Sequence, residues 1–199
     1  MTERLLLLDT NIVSIAGRQR PPPGLRSWLL DVGIERLAIC FPVVVELMRG
    51  ACLLQRSDPE RSAAIRDWVG RVTAMSFASP PMNHQVAEIY GLMTSLPSMR
   101  HLWTAQRHDK HNRMGHDLMI ASVAIVYDAP IITANVRDFV RINEWFALPG
   151  IYQPLEARWH VKPDRHVSLP SLRSDDEARW PAELPRAEPD NGGQARCRI

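Results

Sequence analysis

The chain alternates short apolar runs with longer stretches in which apolar residues recur at helical spacing. Leu5–Leu8 is a continuous apolar run that ends at Asp9, a pattern typical of a buried strand entering a helix through a polar turn. The runs Leu37–Phe41 and Pro130–Thr133 predict two more buried strands, and Ala74–Ala78 predicts a further short one.

Helical patterns fill the intervals between these strands. The predicted helices run from Leu25 to Gly33, from Pro42 to about Gly50, from Asp58 to Val72, around Val86–Met93, from Asp117 to Ile125 and from Asn135 to Val140. Trp28 and Trp68 lie on the apolar faces of two of these helices, where they either join the core or line a groove for a partner helix. Strands that alternate with helices predict an α/β fold with a central, mainly parallel sheet flanked by helices.

The pattern fades after Leu155, where repeated prolines interrupt a charged stretch that ends in Asn191-Gly192-Gly193. Eight acidic and eight basic residues balance in this stretch, so the small net charge belongs to the residues before it. We therefore expect one domain over residues 1–154 and a Pro-rich, charged, largely disordered C-terminal extension over residues 155–199.

Composition is that of an ordinary globular protein, with 45% hydrophobic and 23% charged residues in 199. The longest apolar run, Leu118–Tyr127, is far shorter than the roughly 20 residues of a membrane-spanning helix. Leu5–Leu8 is too short for the apolar part of a secretory signal, so we expect a cytoplasmic protein without a membrane partner. Three widely spaced cysteines predict neither a disulfide framework nor a cysteine zinc site.

The net charge of +2 is too small to indicate a nucleic-acid partner, although 22 of the 24 basic residues are arginine, which suits phosphate contact. A polar, basic segment over residues 98–115 surrounds Trp103 and is either a phosphate-binding edge with a stacking residue or a solvated face. The candidate RNA contacts in and beside it are Arg100, Arg107, Lys110, Arg113 and His116.

Four acidic residues occur at element ends or on otherwise apolar faces: Asp9, Glu46, Asp117 and Asp138. Burying an ionised carboxylate costs several kcal/mol unless a cation or hydrogen-bond donors compensate, so a convergent set would favour a hard divalent cation. Oxygen ligands suit Mg²⁺ or Mn²⁺, and the nearby histidines lack the fixed spacing of a zinc site. Each acid also has a simpler interpretation, as a helix cap or as a partner for an arginine such as Arg18 or Arg49.

Two phosphoryl-transfer classes also place an aspartate after the first strand. Haloacid-dehalogenase phosphatases need a second aspartate two residues later, where this chain has Asn11. Receiver-like domains use a lysine late in the sheet, and residues 131–141 contain none. Both classes are disfavoured.

Four sequence blocks resemble the PIN-domain family, in particular the VapC-type ribonuclease toxins of bacterial toxin-antitoxin pairs. The blocks are LLLDTNIVS from Leu6, VVVELMRG from Val43, HDLMIASVA from His116 and IITANVRDF from Ile131, and the similarity spans about residues 4–155. The resemblance implies a metal-dependent endoribonuclease with one or two Mg²⁺ or Mn²⁺ ions, a cognate antitoxin that blocks the site, and a homodimer.

The resemblance also implies roles for individual residues. Asp9 and Asp117 would hold the principal ion, while Glu46 and Asp138 would hold a second ion or orient the attacking water. Asn11, Thr133 and Asn135 would support the metal or the phosphate. The fourth acidic position falls on Asp138 or on Asn135, and we favour Asp138. A catalytically inactive PIN-fold module that binds RNA or a partner is the alternative, kept open by Asn135.

Overall fold

The structure is a computed structural model that describes residues 4–103 and 116–172. Its strands are β1 Leu6–Leu8, β2 Leu37–Ala38, β3 Ile131–Ile132, β4 Ile151–Gln153 and β5 Arg158–Val161. Its α-helices are α1 Thr10–Gly17, α2 Leu25–Val32, α3 Phe41–Leu54, α4 Pro59–Thr73, α5 His84–Ser95, α6 Arg100–Trp103, α7 His116–Val126 and α8 Val136–Asn143. Short 3-10 helices cover Ile34–Arg36, Pro97–Met99 and Pro154–Glu156.

The strands form one sheet in the order β2-β1-β3-β4-β5. All neighbouring pairs are parallel except β4 and β5, which are antiparallel. Every residue of β1 to β4 is buried, as expected for strands whose two faces are both covered by helices. The predicted mainly parallel sheet flanked by helices is confirmed.

Most predicted helices are present, and their ends match the local chemistry. Gly24 and Gly33, both with positive φ, flank α2 and mark its two ends. Asp58 caps α4 by accepting a hydrogen bond from the Arg61 backbone N–H, and Asn83 caps α5 in the same way. These caps account for helices that begin where the sequence changes from loop to apolar periodicity.

Two boundaries differ from the prediction. Helix α3 begins at Phe41 and continues through Gly50 to Leu54, rather than ending at Gly50. A methyl group on Gly50 would meet nothing within 4 Å, so this exposed glycine costs the helix only about 1 kcal/mol. The predicted strand at Ala74–Ala78 is reduced to an isolated parallel bridge between Ala78 and Ala38.

The two tryptophans belong to the core. Trp28 is 1% exposed and Trp68 is fully buried, so the proposed groove for a partner helix at these rings is wrong. The ring of Trp28 stacks on Tyr152 with centroids 5.6 Å apart. Its indole N–H donates to the carbonyl oxygen of Pro170 at 3.0 Å.

Residues 155–172 pack onto the sheet, and the prediction that the chain is largely disordered from Leu155 is wrong for them. Strand β5 pairs with β4, with Tyr152 opposite Trp159. Beyond β5, the Arg36 guanidinium donates to the Ser168 carbonyl oxygen at 3.4 Å. The strand is four residues long and is followed by Pro163, which hid its pattern. Residues 173–199 lie outside the described residues.

No helix in the described ranges combines the length and the hydropathy that crossing a bilayer requires.

Candidate metal centre

Asp9 lies where β1 ends and α1 begins. Strands β1 and β3 are parallel neighbours, with Leu8 opposite Ile132, so the next residues of the two strands, Asp9 and Thr133, emerge side by side. The Asp9 backbone N–H donates to the Ile132 carbonyl oxygen at 3.0 Å. The Asp9 carboxylate caps α1 by accepting from the Thr10 backbone N–H at 2.7 Å. Asp9 is thus both a helix cap and a buried carboxylate, 2% exposed.

Asn11 and Thr133 hold the second oxygen of Asp9. The Thr133 hydroxyl donates to Asp9 Oδ2 at 2.6 Å, and the Asn11 amide donates to the same oxygen. Asn11 Oδ1 in turn accepts from the Ala134 backbone N–H at 2.9 Å, and the Thr133 hydroxyl oxygen accepts from the Asn135 backbone N–H at 2.8 Å. This network fixes the orientation of the carboxylate by linking the ends of two strands.

Glu46 approaches from α3 on the other side of Asp9. The Thr10 hydroxyl donates to Glu46 Oε2 at 2.7 Å, so the residue after Asp9 positions the second acid. The same oxygen lies 3.7 Å from Nδ1 of His116, at the beginning of α7. Within the described residues Glu46 forms no ion pair with Arg18 or Arg49, which removes that simpler interpretation.

Asp117 and Asp138 share a single amide group. Asn135 Nδ2 donates to Asp117 Oδ2 at 3.3 Å and to Asp138 Oδ2 at 3.1 Å. The two acids lie in the first turns of α7 and α8, where the helix dipole favours negative charge. Asp138 is 7% exposed. Asn135, the alternative to Asp138 for the fourth acidic position, is therefore a hydrogen-bond donor to both Asp117 and Asp138.

All four acids line one cavity of about 530 Å³. The lining residues are Asp9, Thr10, Asn11, Ser14, Ile15, Arg18, Glu46, Asp117, Asn135 and Asp138. The predicted acids thus come together, with Asn11 and Asn135 beside them. Ser14 and Ile15 were not predicted from the sequence, and Arg18 was considered only as a partner for Glu46. Their spacing from Asn11 along α1 was the available signal.

Burial and charge repulsion set the protonation of Asp9. Its pKa is raised from 3.8 to about 6: burial is the largest cause and the charge of Glu46 adds to it, while the hydrogen bonds from Thr133, Thr10 and Asn11 oppose the rise. Burial lowers the pKa of His116, against the charge of Glu46 that raises it. The folded protein therefore holds the Asp9 proton more tightly than a solvent-exposed aspartate does.

The donor chemistry of the cavity fits a hard divalent cation. Its ionisable lining groups are carboxylates apart from Arg18, and carboxylate and amide oxygens are the ligands of Mg²⁺ and Mn²⁺. In the described part of the chain, no three His, Cys, Asp or Glu side chains are arranged closely enough to hold one ion. The four acids thus line the same cavity, but their side chains are not arranged so that three of them could bind one ion.

The predicted RNA contacts are only partly described. Arg100 begins α6 and is not among the residues that line the cavity. His116 is 9% exposed and faces Glu46 from the first residue of α7. Arg107, Lys110 and Arg113 lie outside the described residues.

A mostly parallel sheet with a carboxylate-lined cavity at the ends of its central strands defines an α/β protein with an acidic site. A family model of the PIN domain matches residues 6–144. The match covers well over half of the chain, and the chain belongs to the PIN domain family.

Solved structures with a similar fold include FitAB bound to an IR36 DNA fragment, with 21% identity and a TM-score of 0.53 over 70% of this chain and 91% of that chain. FitAcB from Neisseria gonorrhoeae is similar at 20% identity and a TM-score of 0.50, over 70% of this chain and 94% of that chain. VapBC-1 from nontypeable Haemophilus influenzae has 25% identity and a TM-score of 0.49, over 70% and 93%. The likeness to FitAB and FitAcB shows the fold. A comparison with curated proteins found no match.

Proposed function

We propose that this protein is a metal-dependent endoribonuclease of the VapC type, the toxin of a toxin-antitoxin pair. The observation that carries the proposal is the gathering of Asp9, Glu46, Asp117 and Asp138 at one cavity in a PIN-domain chain. Carboxylates that repel one another at a buried site are a costly arrangement unless a cation binds there. A non-catalytic module would gain nothing from this destabilising arrangement of carboxylates.

In this proposal Asp9 and Asp117 hold the principal Mg²⁺ or Mn²⁺. Glu46 and Asp138 hold a second ion or orient the attacking water. Such an ion, when bound, lowers the pKa of water and stabilises the charge that develops on a phosphodiester. Asp117 and Asp138 lie in the first turns of α7 and α8, where the helix dipole favours a negative charge.

The surrounding polar groups orient the acids. Thr133 and Asn11 aim one oxygen of Asp9, while the Thr10 backbone N–H holds the other. The Thr10 hydroxyl sets the position of Glu46, and the latter is half-exposed and so open to water and substrate. Asn135 donates to both Asp117 and Asp138, which favours a supporting role for Asn135 and the assignment of the fourth acidic position to Asp138.

The proposed partners are RNA as substrate, a cognate antitoxin protein that covers the cavity, and a second copy of the chain in a homodimer. The support for the last two is the similarity of the four sequence blocks to VapC-type toxins. The proposed place of action is the cytoplasm, where RNA and antitoxin would both be available.

The test is cleavage of a mixed structured RNA in Mg²⁺, in Mn²⁺ and in EDTA. We expect the wild type to cut only with a divalent ion, and the folded Asp9→Ala and Asp117→Ala proteins to lose cleavage. Asp67→Ala, which removes an exposed carboxylate from α4, is the matched control and should cut normally. A wild type that neither cuts RNA nor binds a divalent ion by calorimetry would leave the non-catalytic module as the function.

A further inference from the structure

One face of α1 extends the cavity away from the carboxylates. Ser14, Ile15 and Arg18 follow Asn11 at intervals of three, four and seven residues, and all four line the cavity. Such spacing places side chains on one side of a helix. Seven residues of helix correspond to about 10 Å, so the face leads from the acidic end to a cation at the far end.

The opposite face of the helix is the one that packs in the core. Ile12, Val13 and Ala16 are buried, and Gly17 follows them on that side. The division into a buried and a cavity-lining face fixes the rotation of α1, and with it the direction in which Ser14 and Ile15 point.

Arg18 follows the last residue of α1, and hydrogen bonds fix the backbone at this point. The buried guanidinium of Arg26 donates to the Ala16 carbonyl oxygen at 2.9 Å and also to the carbonyl oxygen of Arg18. The Arg18 backbone N–H donates to the Ile15 carbonyl oxygen at 3.2 Å. These contacts use only the backbone of Arg18, whose side chain is exposed. The cation is therefore placed by the fold while its guanidinium stays accessible.

The charge of Arg18 differs from that of its surroundings. It is the one basic residue among the described residues that line the cavity, and four carboxylates line the same cavity. Glu46, the acid considered as its partner, is instead bound by Thr10 and faces His116. A guanidinium presents two parallel N–H donors, which match two oxygens of a phosphate.

We infer that Arg18 binds a backbone phosphate of the RNA next to the phosphodiester that is cut. Between these two phosphates, the RNA strand would run along the surface formed by Ser14 and Ile15. The inference rests on the proposed nuclease function. Arg18 acts here as a substrate-binding residue, and the carboxylates alone carry the chemistry. The cation also offsets the repulsion that an acidic cavity exerts on a polyanionic strand.

The test compares Arg18→Ala, Arg18→Lys and Arg20→Ala in the Asp117→Asn background, with a short fluorescein-labelled single-stranded RNA as probe in Mg²⁺. Arg20 is an exposed arginine two residues away that does not line the cavity, so it controls for general positive charge. We expect Arg18→Ala to weaken binding roughly three- to tenfold at low salt. The slope of log association constant against log salt concentration should become less negative by about 0.7, the value for one single-strand phosphate contact.

Arg18→Lys should keep most of the slope because it keeps the charge, and Arg20→Ala should keep both affinity and slope. In the protein that keeps Asp117 and can cut RNA, Arg18→Ala should raise KM for RNA and leave kcat nearly unchanged. Equal loss in Arg18→Ala and Arg20→Ala, or no loss in Arg18→Ala, would overturn the inference while the nuclease function stands. A wild type that neither binds nor cuts RNA would overturn the nuclease function and this inference with it.

Discussion

In the metal-free protein, the Asp9 carboxyl group is expected to lower the free energy of unfolding as the pH rises from 3.8 to about 6. Burial and the charge of Glu46 raise the pKa of Asp9 in the folded state, so the folded protein holds this proton more tightly than the unfolded chain does. Between the two pKa values the folded state binds more protons, and stability must then fall with rising pH. The loss is complete above about 6.

The size of the effect follows from the two pKa values. A change from 3.8 to about 6 corresponds to a loss of about 3 kcal/mol, at about 1.4 kcal/mol per pKa unit. Asp9→Asn removes the titration. The amide also loses one of the hydrogen bonds that Asp9 accepts from Thr10, Thr133 and Asn11, but that loss is the same at every pH. The pH dependence therefore isolates the charge.

The assay is urea unfolding of both proteins in EDTA at several pH values between about 4 and about 7. Carboxylates that do not interact with Asp9 contribute equally to both proteins, so the wild-type value minus the Asp9→Asn value reports Asp9 together with its charge interaction with Glu46. We expect this difference to fall by about 3 kcal/mol across the range and to recover in the wild type when Mn²⁺ is added at the upper end. A difference that stays constant with pH would refute the account of Asp9 as a buried, repelled carboxylate.

Three further predictions concern single side chains. Asn135→Asp replaces the donor shared by Asp117 and Asp138 with a third carboxylate, so the metal-free protein should lose about 1–3 kcal/mol of stability in urea unfolding. Mn²⁺ should restore most of that loss, and an unchanged stability of the metal-free Asn135→Asp protein would contradict the shared-donor role. Trp28→Phe gives up the indole hydrogen bond to Pro170 and should cost about 1–3 kcal/mol in the same assay, whereas Trp145→Phe, at a side chain 59% exposed, should change stability by less than about 0.5 kcal/mol. Asp58→Ala removes the cap of α4 and should cost about 1 kcal/mol by thermal unfolding, and an unchanged midpoint would show that the cap contributes nothing.

Strands β1, β2 and β3 and the position of Asp9 were predictable from the sequence because a single local rule determines them. An uninterrupted apolar run such as Leu6–Leu8 has to be buried on both faces, and the polar residue after it has to emerge at the carboxyl end of the strand. Thr133 was predicted as the last residue of the strand Pro130–Thr133; the structure ends β3 at Ile132, so Thr133 follows it and lies next to Asp9.

Features that depend on tertiary packing were not predictable in the same way. Strand β5 exists because it pairs with β4, and its four residues carry little pattern of their own. The length of α3 exceeds the prediction because a glycine with open space around it does not have to end a helix. The cavity-lining role of Ser14 and Arg18 depends on which face of α1 the core covers, and that choice is made by the packing of Ile12 and Val13.

We propose that the carboxylates of this cavity hold the divalent ion on which RNA cleavage depends. The initial rate of single-stranded RNA cleavage against Mn²⁺ concentration tests this dependence, for the wild type, Asp117→Asn and the exposed control Asp67→Asn. We expect a rate that saturates with Mn²⁺ in the wild type and the control and is lost in folded Asp117→Asn. Cleavage that persists in EDTA, or that Asp117→Asn retains with the same Mn²⁺ dependence, would contradict it.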